Sequence, residues 1–491
     1  MTDTNESREF KRRDLLKGSA AVSLAAVSSA LSLPATGVAA QNPQSASLSR
    51  ENQKPGTTDW QLTRVRVNQG QYRTSLIEGY CSHQSISAGE TLGVFVSAEP
   101  ARQFTLDVYR MGYYGGTGAR LMTTLGPLSG TTQPVPEMGP LPGRLRECRW
   151  EPSVELKIPP DWPSGVYLGK LTTIPVSKSE PYWQSYVIFI VRDDRPADIL
   201  FQCSDNTWQA YNRWPANESL YTHPDGAHVP GVAVSFDRPY GKYTQIFDAA
   251  LSIGSGEFLL WEFPLCYWLE QHGYDVTYGS NRDALDPGFL TRCRTFLSVG
   301  HDEYWDIRQY HATETAIDAG VNVLWLSGNS VFIVSPFSPS SRGAAERIIT
   351  RAGCYGPLRE DEIESYARLF GELTDRGPDE RNIIGARSVV PFNGGGDWTC
   401  TKPDHWIFSE TGMKQGESIP GLVGWEHHGE PDLQRAGLEV LAEGSVWAGG
   451  TREGHYTATI FPGPKGNFVF NAATIFWSQG LSTPPGHILP W

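Results

Sequence analysis

The spacing of apolar and polar positions divides the chain into two regimes. From about residue 58 to 194 the apolar residues come in short runs with partial period-2 alternation. These are TLGVFVSA (91–98), FTLDVYRMGYY (104–114), SGVYLGKLTTI (164–174) and SYVIFIVRD (185–193). Clusters of Gly, Pro, Ser and Asp separate them, and no amphipathic helix interrupts them. This pattern predicts a β-sandwich of immunoglobulin-like type over 58–194. After Arg195-Pro196 the runs become apolar throughout and alternate with helical segments. ADILFQCSD (197–205) reads as a strand, LLWEFPLCYWLEQHG (259–273) as a helix stopped by Gly273, and YDVTYG (274–279) as a strand. TFLSVGHDEYW (295–305) is a strand ending in charge, IRQYHATETAIDAG (307–320) a helix, and VNVLWLSGN (321–329) a strand. Strands apolar on both faces predict a doubly wound parallel sheet of amidotransferase/flavodoxin-like type, an α/β domain spanning 195–491. Near its end, NFVFNAATIFWSQGL (467–481) reads as a last strand and helix returning to the core.

Polar residues gather just past three strand ends: Ser204-Asp205-Asn206, His301-Asp302-Glu303 and Ser327-Gly328-Asn329. Ligands of open α/β sheets bind in the crevice at the carboxyl ends of strands, so these clusters mark the expected site. Gly300-His301-Asp302-Glu303-Tyr304-Trp305 is the sharpest of them. A helix cap at Asp302 accounts for only one of its residues. In Ser204–Trp214, Trp208 and Trp214 read best as packing residues, whereas Tyr211 can reach the crevice. Ser235-Phe236-Asp237-Arg238-Pro239-Tyr240 is weak on its own. In Gly424-Trp425-Glu426-His427-His428, adjacent histidines rarely hold one ion, and both read best as solvated loop residues.

The N-terminus is an address. Arg12-Arg13 precedes a short, weakly apolar stretch, GSAAVSLAAVSSALSL (18–33), and then GVAA (37–40). Residues 1–40 resemble a twin-arginine export signal, with cleavage expected after Ala40. Export by that route to the periplasm or beyond is the expectation, and no later segment is apolar and long enough to span a bilayer. Residues 41–57 are polar and are expected to form a flexible lead-in.

Composition narrows the function. The 491 residues carry a formal charge of -13 and no basic stripe with interleaved aromatics, which argues against a nucleic-acid partner. Seven cysteines form no CxxC pair, so a zinc ribbon or thioredoxin-type site is disfavoured. Cys203, Cys266 and Cys293 sit in apolar runs and read as buried hydrophobes; a Cys354–Cys400 disulfide is compatible with an oxidising compartment.

Taken in order, TWQAYNRW, SLY (219–221), SFDRPY, WEFPLCYWLEQHGYDV (261–276), GHDEYW and SGNS (327–330) resemble the large (beta) subunit of N,N-dimethylformamidase. YRMGYYGGTGAR (109–120) and DWPSGVYL (161–168) are similar to the same family's sandwich domain, and the likeness spans about 60–480. The resemblance implies an amidohydrolase with one iron ion (Fe3+) held by two tyrosines and a glutamate. By position, it implies Glu303 as the carboxylate, Tyr211 as one phenolate and Tyr240 as the second, with Tyr221 as the alternative. His301 and Asn329 would line the pocket, and Glu426 would act as base. Phenolate and carboxylate are hard oxygen donors suited to ferric iron. The expected substrate is a small amide. Homo-oligomerisation stays open, and nothing in the sequence indicates a small partner subunit. Two other readings compete: a glycan-active hydrolase using Asp302 and Glu303, and a non-catalytic exported binding protein.

Overall fold

The computed structural model describes residues 45–223, 231–358, 375–388 and 394–487, with the single positions 360, 364 and 367. The export signal expected over 1–40 lies outside the described residues.

The first described element departs from expectation. Ser45–Asn52 is a helix (α1) inside the stretch expected to be a flexible lead-in. Its sequence is polar, but its polar groups have partners far along the chain. Glu51 accepts from Tyr114 Oη at 3.0 Å and from Arg120 Nε at 2.6 Å. Asn52 accepts from the backbone N–H groups of Tyr113 and Tyr114. Local composition cannot report such contacts.

Eight strands follow: β1 (Glu78–Cys81), β2 (Ser85–Ser87), β3 (Thr91–Ser97), β4 (Gln103–Met111), β5 (Ala119–Ser129), β6 (Val154–Lys157), β7 (Gly165–Thr173) and β8 (Gln184–Arg192). They form two sheets, ordered β1-β3-β6 and β2-β8-β7-β4-β5. Leu92, Val94 and Val96 of β3 share one core with Phe104, Leu106 and Val108 of β4 and Val187, Phe189 and Val191 of β8. Period-2 alternation thus fills the space between the two sheets. The other face of β8 carries Tyr186, Ile188 and Ile190, which join a second core with residues beyond position 195. Burial on both faces explains why SYVIFIV is apolar throughout.

A seven-stranded sheet forms the rest of the scaffold. Its elements in chain order are β9 (Ala197–Gln202), α2 (Asp205–Tyr211), α3 (Phe263–Gln271), β10 (Val276–Gly279), β11 (Cys293–Gly300), α4 (Ile307–Ala319), β12 (Asn322–Ser327), β13 (Glu439–Ala448), β14 (Thr451–Pro462) and β15 (Phe468–Asn471). The strand order is β10-β9-β11-β12-β15-β14-β13. The first five strands of that order run parallel, through four pairings. β14 runs antiparallel to both β15 and β13, so the sheet is mixed and not parallel throughout as expected. The reason lies in the connections. Only Gly449-Gly450 separates β13 from β14, and a two-residue link can join antiparallel strands only. β15 is followed by the short 3-10 turn Trp477–Gly480 where a helix was expected.

Helices cover both faces of the parallel part. Ile199 and Phe201 of β9 pack with Leu265 and Leu269 of α3. Leu200 faces the opposite side, in a core with Ala316 and Ile317 of α4. α4 starts at Asp306, whose side chain accepts from Arg308 N–H, and stops at Gly320 with φ +100°. The cap is therefore Asp306, not Asp302. No described helix is long and apolar enough to cross a membrane. All seven cysteines are buried and unpaired, so Cys354 and Cys400 form no disulfide.

Candidate functional site

Three adjacent strands, β9, β11 and β12, deliver the polar clusters to one edge of the sheet. Gly300 ends β11 at φ +71°, and a Cβ there would lie 2.5 Å from Cβ of Trp261. Only glycine lets the chain turn so closely over α3's approach. The turn sets His301, Asp302 and Glu303 in succession, all buried.

Glu303 is the centre. Tyr211, at the C-terminal end of α2, donates its phenol to Glu303 Oε2 at 3.0 Å. Tyr221 donates to Oε1 at 3.0 Å and lies 3.2 Å from Oε2. The two tyrosine rings stack with centroids 4.5 Å apart. Tyr304 donates to Tyr221 Oη at 2.5 Å, bracing that phenol from behind. Tyr221 is fixed by a side-chain turn in which Ser219 Oγ accepts from the N–H groups of Tyr221 and Thr222.

Tyr240 does not reach this point. Its ring meets Trp208 edge-on at 6.4 Å and lines a separate cavity of about 30 Å³ with Asp205 and Arg238. That volume suits one or two waters and not a substrate. The SFDRPY motif has a different duty. The buried Arg238 guanidinium is gripped by the carbonyl oxygens of Gln209, Asn212, Trp214 and Glu218, which holds the end of α2 in place. Of the two tyrosines weighed beside Tyr211, the structure brings Tyr221 to Glu303.

His301 Nδ1 lies 2.7 Å from Gln245 Oε1. A carbonyl oxygen only accepts, so Nδ1 carries the proton and Nε2 presents a lone pair. Nε2 lies 3.5 Å from Glu303 Oε2 without forming a hydrogen bond. Asn329 follows β12 at φ +50°, and its side chain acts to lower the Glu426 carboxyl pKa against the effect of burial. Gly328 permits this approach, since a Cβ there would lie 2.3 Å from Glu426 O. Glu426 Oε2 and Asn329 Oδ1 are buried and have no hydrogen-bond partner among the described residues.

His427 and His428 are not solvated, contrary to expectation; both are buried. His428 links Asn471 at the end of β15 to the N–H of Ser330 and so pins the Glu426 loop. Asp302, the neighbour of Glu303, points elsewhere. Its oxygens accept from Gln202 Nε2, Ser298 Oγ and Asn281 Nδ2 at 2.6, 2.8 and 2.9 Å. Asp302 and Glu303 therefore do not form a facing acid/base pair. Trp208 and Trp214 are core residues, with indole N–H groups donated to Glu262 and Glu78.

Burial raises the Glu303 carboxyl pKa, opposed by the Tyr211 and Tyr221 hydrogen bonds and the Arg351 charge. Burial, and then the negative charge of Glu303, holds the phenols of Tyr211 and Tyr221 well above the ordinary tyrosine range. Glu426 is likewise raised, by burial first and by Glu303 second. Each phenol keeps its proton to satisfy the carboxylate. A hard cation at this point would replace both protons. Among the described residues, no group of three or more His, Cys, Asp or Glu is placed to hold a metal. The donor set here is of another kind: two phenols and a carboxylate, beside a buried imidazole nitrogen and a carboxyl oxygen without partners. Unpartnered buried polar atoms call for a bound group, and an all-oxygen set fits a hard cation.

The site opens into a cleft of about 530 Å³ lined by Tyr211, Tyr221, Gln245, Trp425 and Glu426. Sequence reasoning gave Tyr304 and Gln245 no role. Tyr304 stood in GHDEYW, where period 2 already put it on the opposite side from Glu303. Gln245 lay in a loop with no motif.

A family model for the C-terminal part of N,N-dimethylformamidase beta subunit-like proteins matches residues 105–487. No curated protein matches the chain.

Proposed function

Since the chain belongs to the N,N-dimethylformamidase beta subunit-like family, whose members suggest an amidase-type hydrolase, we propose that it hydrolyses a small amide with one ferric iron held by Tyr211, Tyr221 and Glu303. The observation that carries this reading is the meeting of two phenols on one buried carboxylate. The order of the parallel strands, second-first-third-fourth-fifth in the chain, supports a flavodoxin-like origin for the sheet.

When bound, the metal would polarise the amide carbonyl and acidify water. The remaining chemistry belongs to the chain. Glu426 takes the proton from the attacking water at its unpartnered Oε2 and returns it to the leaving nitrogen. The carbon–nitrogen bond breaks as the new carbon–oxygen bond forms, giving a carboxylate and an amine. His301, held through Gln245, keeps its Nε2 lone pair toward the water. Trp425 forms an apolar wall against the cleft. Export through Arg12-Arg13 belongs to the same proposal.

The test is metal analysis with an amide hydrolysis assay. Wild-type protein should contain stoichiometric iron and show a phenolate-to-iron absorption band. Glu303→Gln and Tyr221→Phe should lower iron content, and hydrolysis should fall by at least about 10²-fold. Tyr240→Phe should leave iron and activity intact. Stoichiometric iron in Glu303→Gln would overturn the ligand set. Folded, metal-free wild-type protein without hydrolysis would favour the binding-protein reading.

A further inference from the structure

The cleft wall carries a cation that amide hydrolysis does not use. Arg213 stands two residues beyond Tyr211, just past Asn212, the C-cap of α2. Its guanidinium carbon lies 3.5 Å from the ring centroid of Tyr243 and 5.5 Å from that of Tyr72. Its Nη1 donates to Tyr72 Oη at 3.2 Å. Tyr243 is itself anchored, its phenol donating to the Gln245 carbonyl at 2.7 Å. The guanidinium plane is therefore fixed by aromatic partners, a pre-organised arrangement that costs little further ordering when a ligand arrives.

No described carboxylate forms an ion pair with Arg213. Lys242, which lies over the same Tyr72 ring, differs in pairing with Asp248. With Nη1 on Tyr72, the Nε–Nη2 edge of Arg213 has no hydrogen-bond partner among the described residues. That edge presents two parallel N–H groups, the geometry that receives a carboxylate bidentately. Arg213 lines the same cleft as Tyr211, Tyr221 and Glu426. At about 530 Å³ the cleft has the size of sites for ligands much larger than a formamide.

We propose that Arg213 forms an anion subsite, so that the amide taken by this cleft carries a carboxylate, as N-acyl amino acids do. This rests on the amide-hydrolase reading for the reaction, but the subsite can be tested without it. The amide group would sit over Glu303 and the carboxylate against Arg213. The two-residue spacing between Tyr211 and Arg213 ties the anchor to the reacting centre.

The probes are N-formylglycine and its uncharged methyl ester. With the iron-loaded full-length protein, kcat/KM should favour the acid by about 10–100-fold, the span of one charge-assisted hydrogen-bond pair. The preference should appear mainly in KM. Arg213→Met should bring the ratio close to one, and Arg213→Lys, which keeps charge but not the fork, should retain part of it. The same pair is titrated calorimetrically into the metal-free protein, where nothing turns over. Acid-selective binding that Arg213→Met removes supports the subsite even if neither compound is hydrolysed; that outcome would sink the hydrolase reading alone. Hydrolysis of both compounds at equal kcat/KM, or a preference that survives Arg213→Met, would overturn the subsite. Should Arg213→Met fail to fold, the wild-type comparison of acid with ester decides by itself.

Discussion

His428 is held in one tautomer. Its Nδ1–H donates to Asn471 Oδ1 at 2.6 Å, and its Nε2 accepts from Ser330 N–H at 3.0 Å. A second proton would have to displace the Ser330 donor at a fully buried ring. Burial accordingly lowers the His428 pKa to about 4, against a small opposing effect of Asn471. The unfolded chain takes up a proton near the ordinary histidine value of about 6.5. The folded pKa is therefore depressed, and the unfolded state binds more protons between the two values. The stability contribution is complete above about pH 6.5 and is lost as pH falls toward 4, by roughly 3 kcal/mol at the limit. Urea midpoints measured from pH 7.5 to 5 should fall with pH, and His428→Gln should reduce that slope by its share, the buried His301, His427 and His487 supplying the rest. An unchanged slope in the variant would show that His428 contributes nothing to it. The consequence reaches the site because His428 pins the loop that carries Glu426.

At the scale of elements, the joint between sandwich and α/β parts is polar and buried. Arg110 of β4 and Glu270 of α3 pair at 2.8 Å, both side chains fully inaccessible. Around them, Tyr278 of β10 donates to Glu270, Asn52 of α1 donates to it as well, and Ser164 O accepts from Arg110. Four elements thus share one network. Apolar residues could fill such a joint with equal stability, but removal of one charge leaves the other buried without its counterpart. Glu270→Gln should destabilise the protein by about 3–5 kcal/mol, read as a lower denaturation midpoint. A shift no larger than that of a surface substitution would mean that water reaches the pair. The same element contacts order α1, whose composition alone suggested a mobile stretch.

For the whole molecule, β8 is the shared wall. Its Val187, Phe189 and Val191 fill the sandwich, and its Tyr186, Ile188 and Ile190 cover the α/β core. Neither part can lose the other without exposing a continuous apolar face. Residues 195–491 expressed alone should therefore aggregate or bind a hydrophobic dye strongly, whereas the chain from residue 41 onward should not. A monodisperse, cooperatively unfolding 195–491 fragment would contradict this account. The site itself lies on the α/β side, at the carboxyl ends of β9, β11 and β12.

The sequence by itself determined where strands are buried on one face or two, where they end in polar clusters, and that Glu303 stands at such an end and Tyr211 in the segment that follows another. These are local properties, because apolar periodicity reports burial and a polar residue after a buried strand reports an exit from the core. The direction of the last strands was also written locally, in the Gly449-Gly450 link, although the apolar pattern alone suggested a parallel sheet. Tertiary structure decided which second tyrosine meets Glu303. Tyr221 and Tyr240 both follow polar loops, and the residues beside them act through partners that the local pattern does not show. The choice is made by Arg238, which grips the end of α2 and carries Tyr240 away to Trp208, and by the Ser219 turn and Tyr304, which hold Tyr221 in place. Tertiary structure likewise buried His428 between β15 and Ser330 and ordered α1 against β4, β5 and α3. Those outcomes depend on partners many residues away, and the pattern of a short segment carries no record of them.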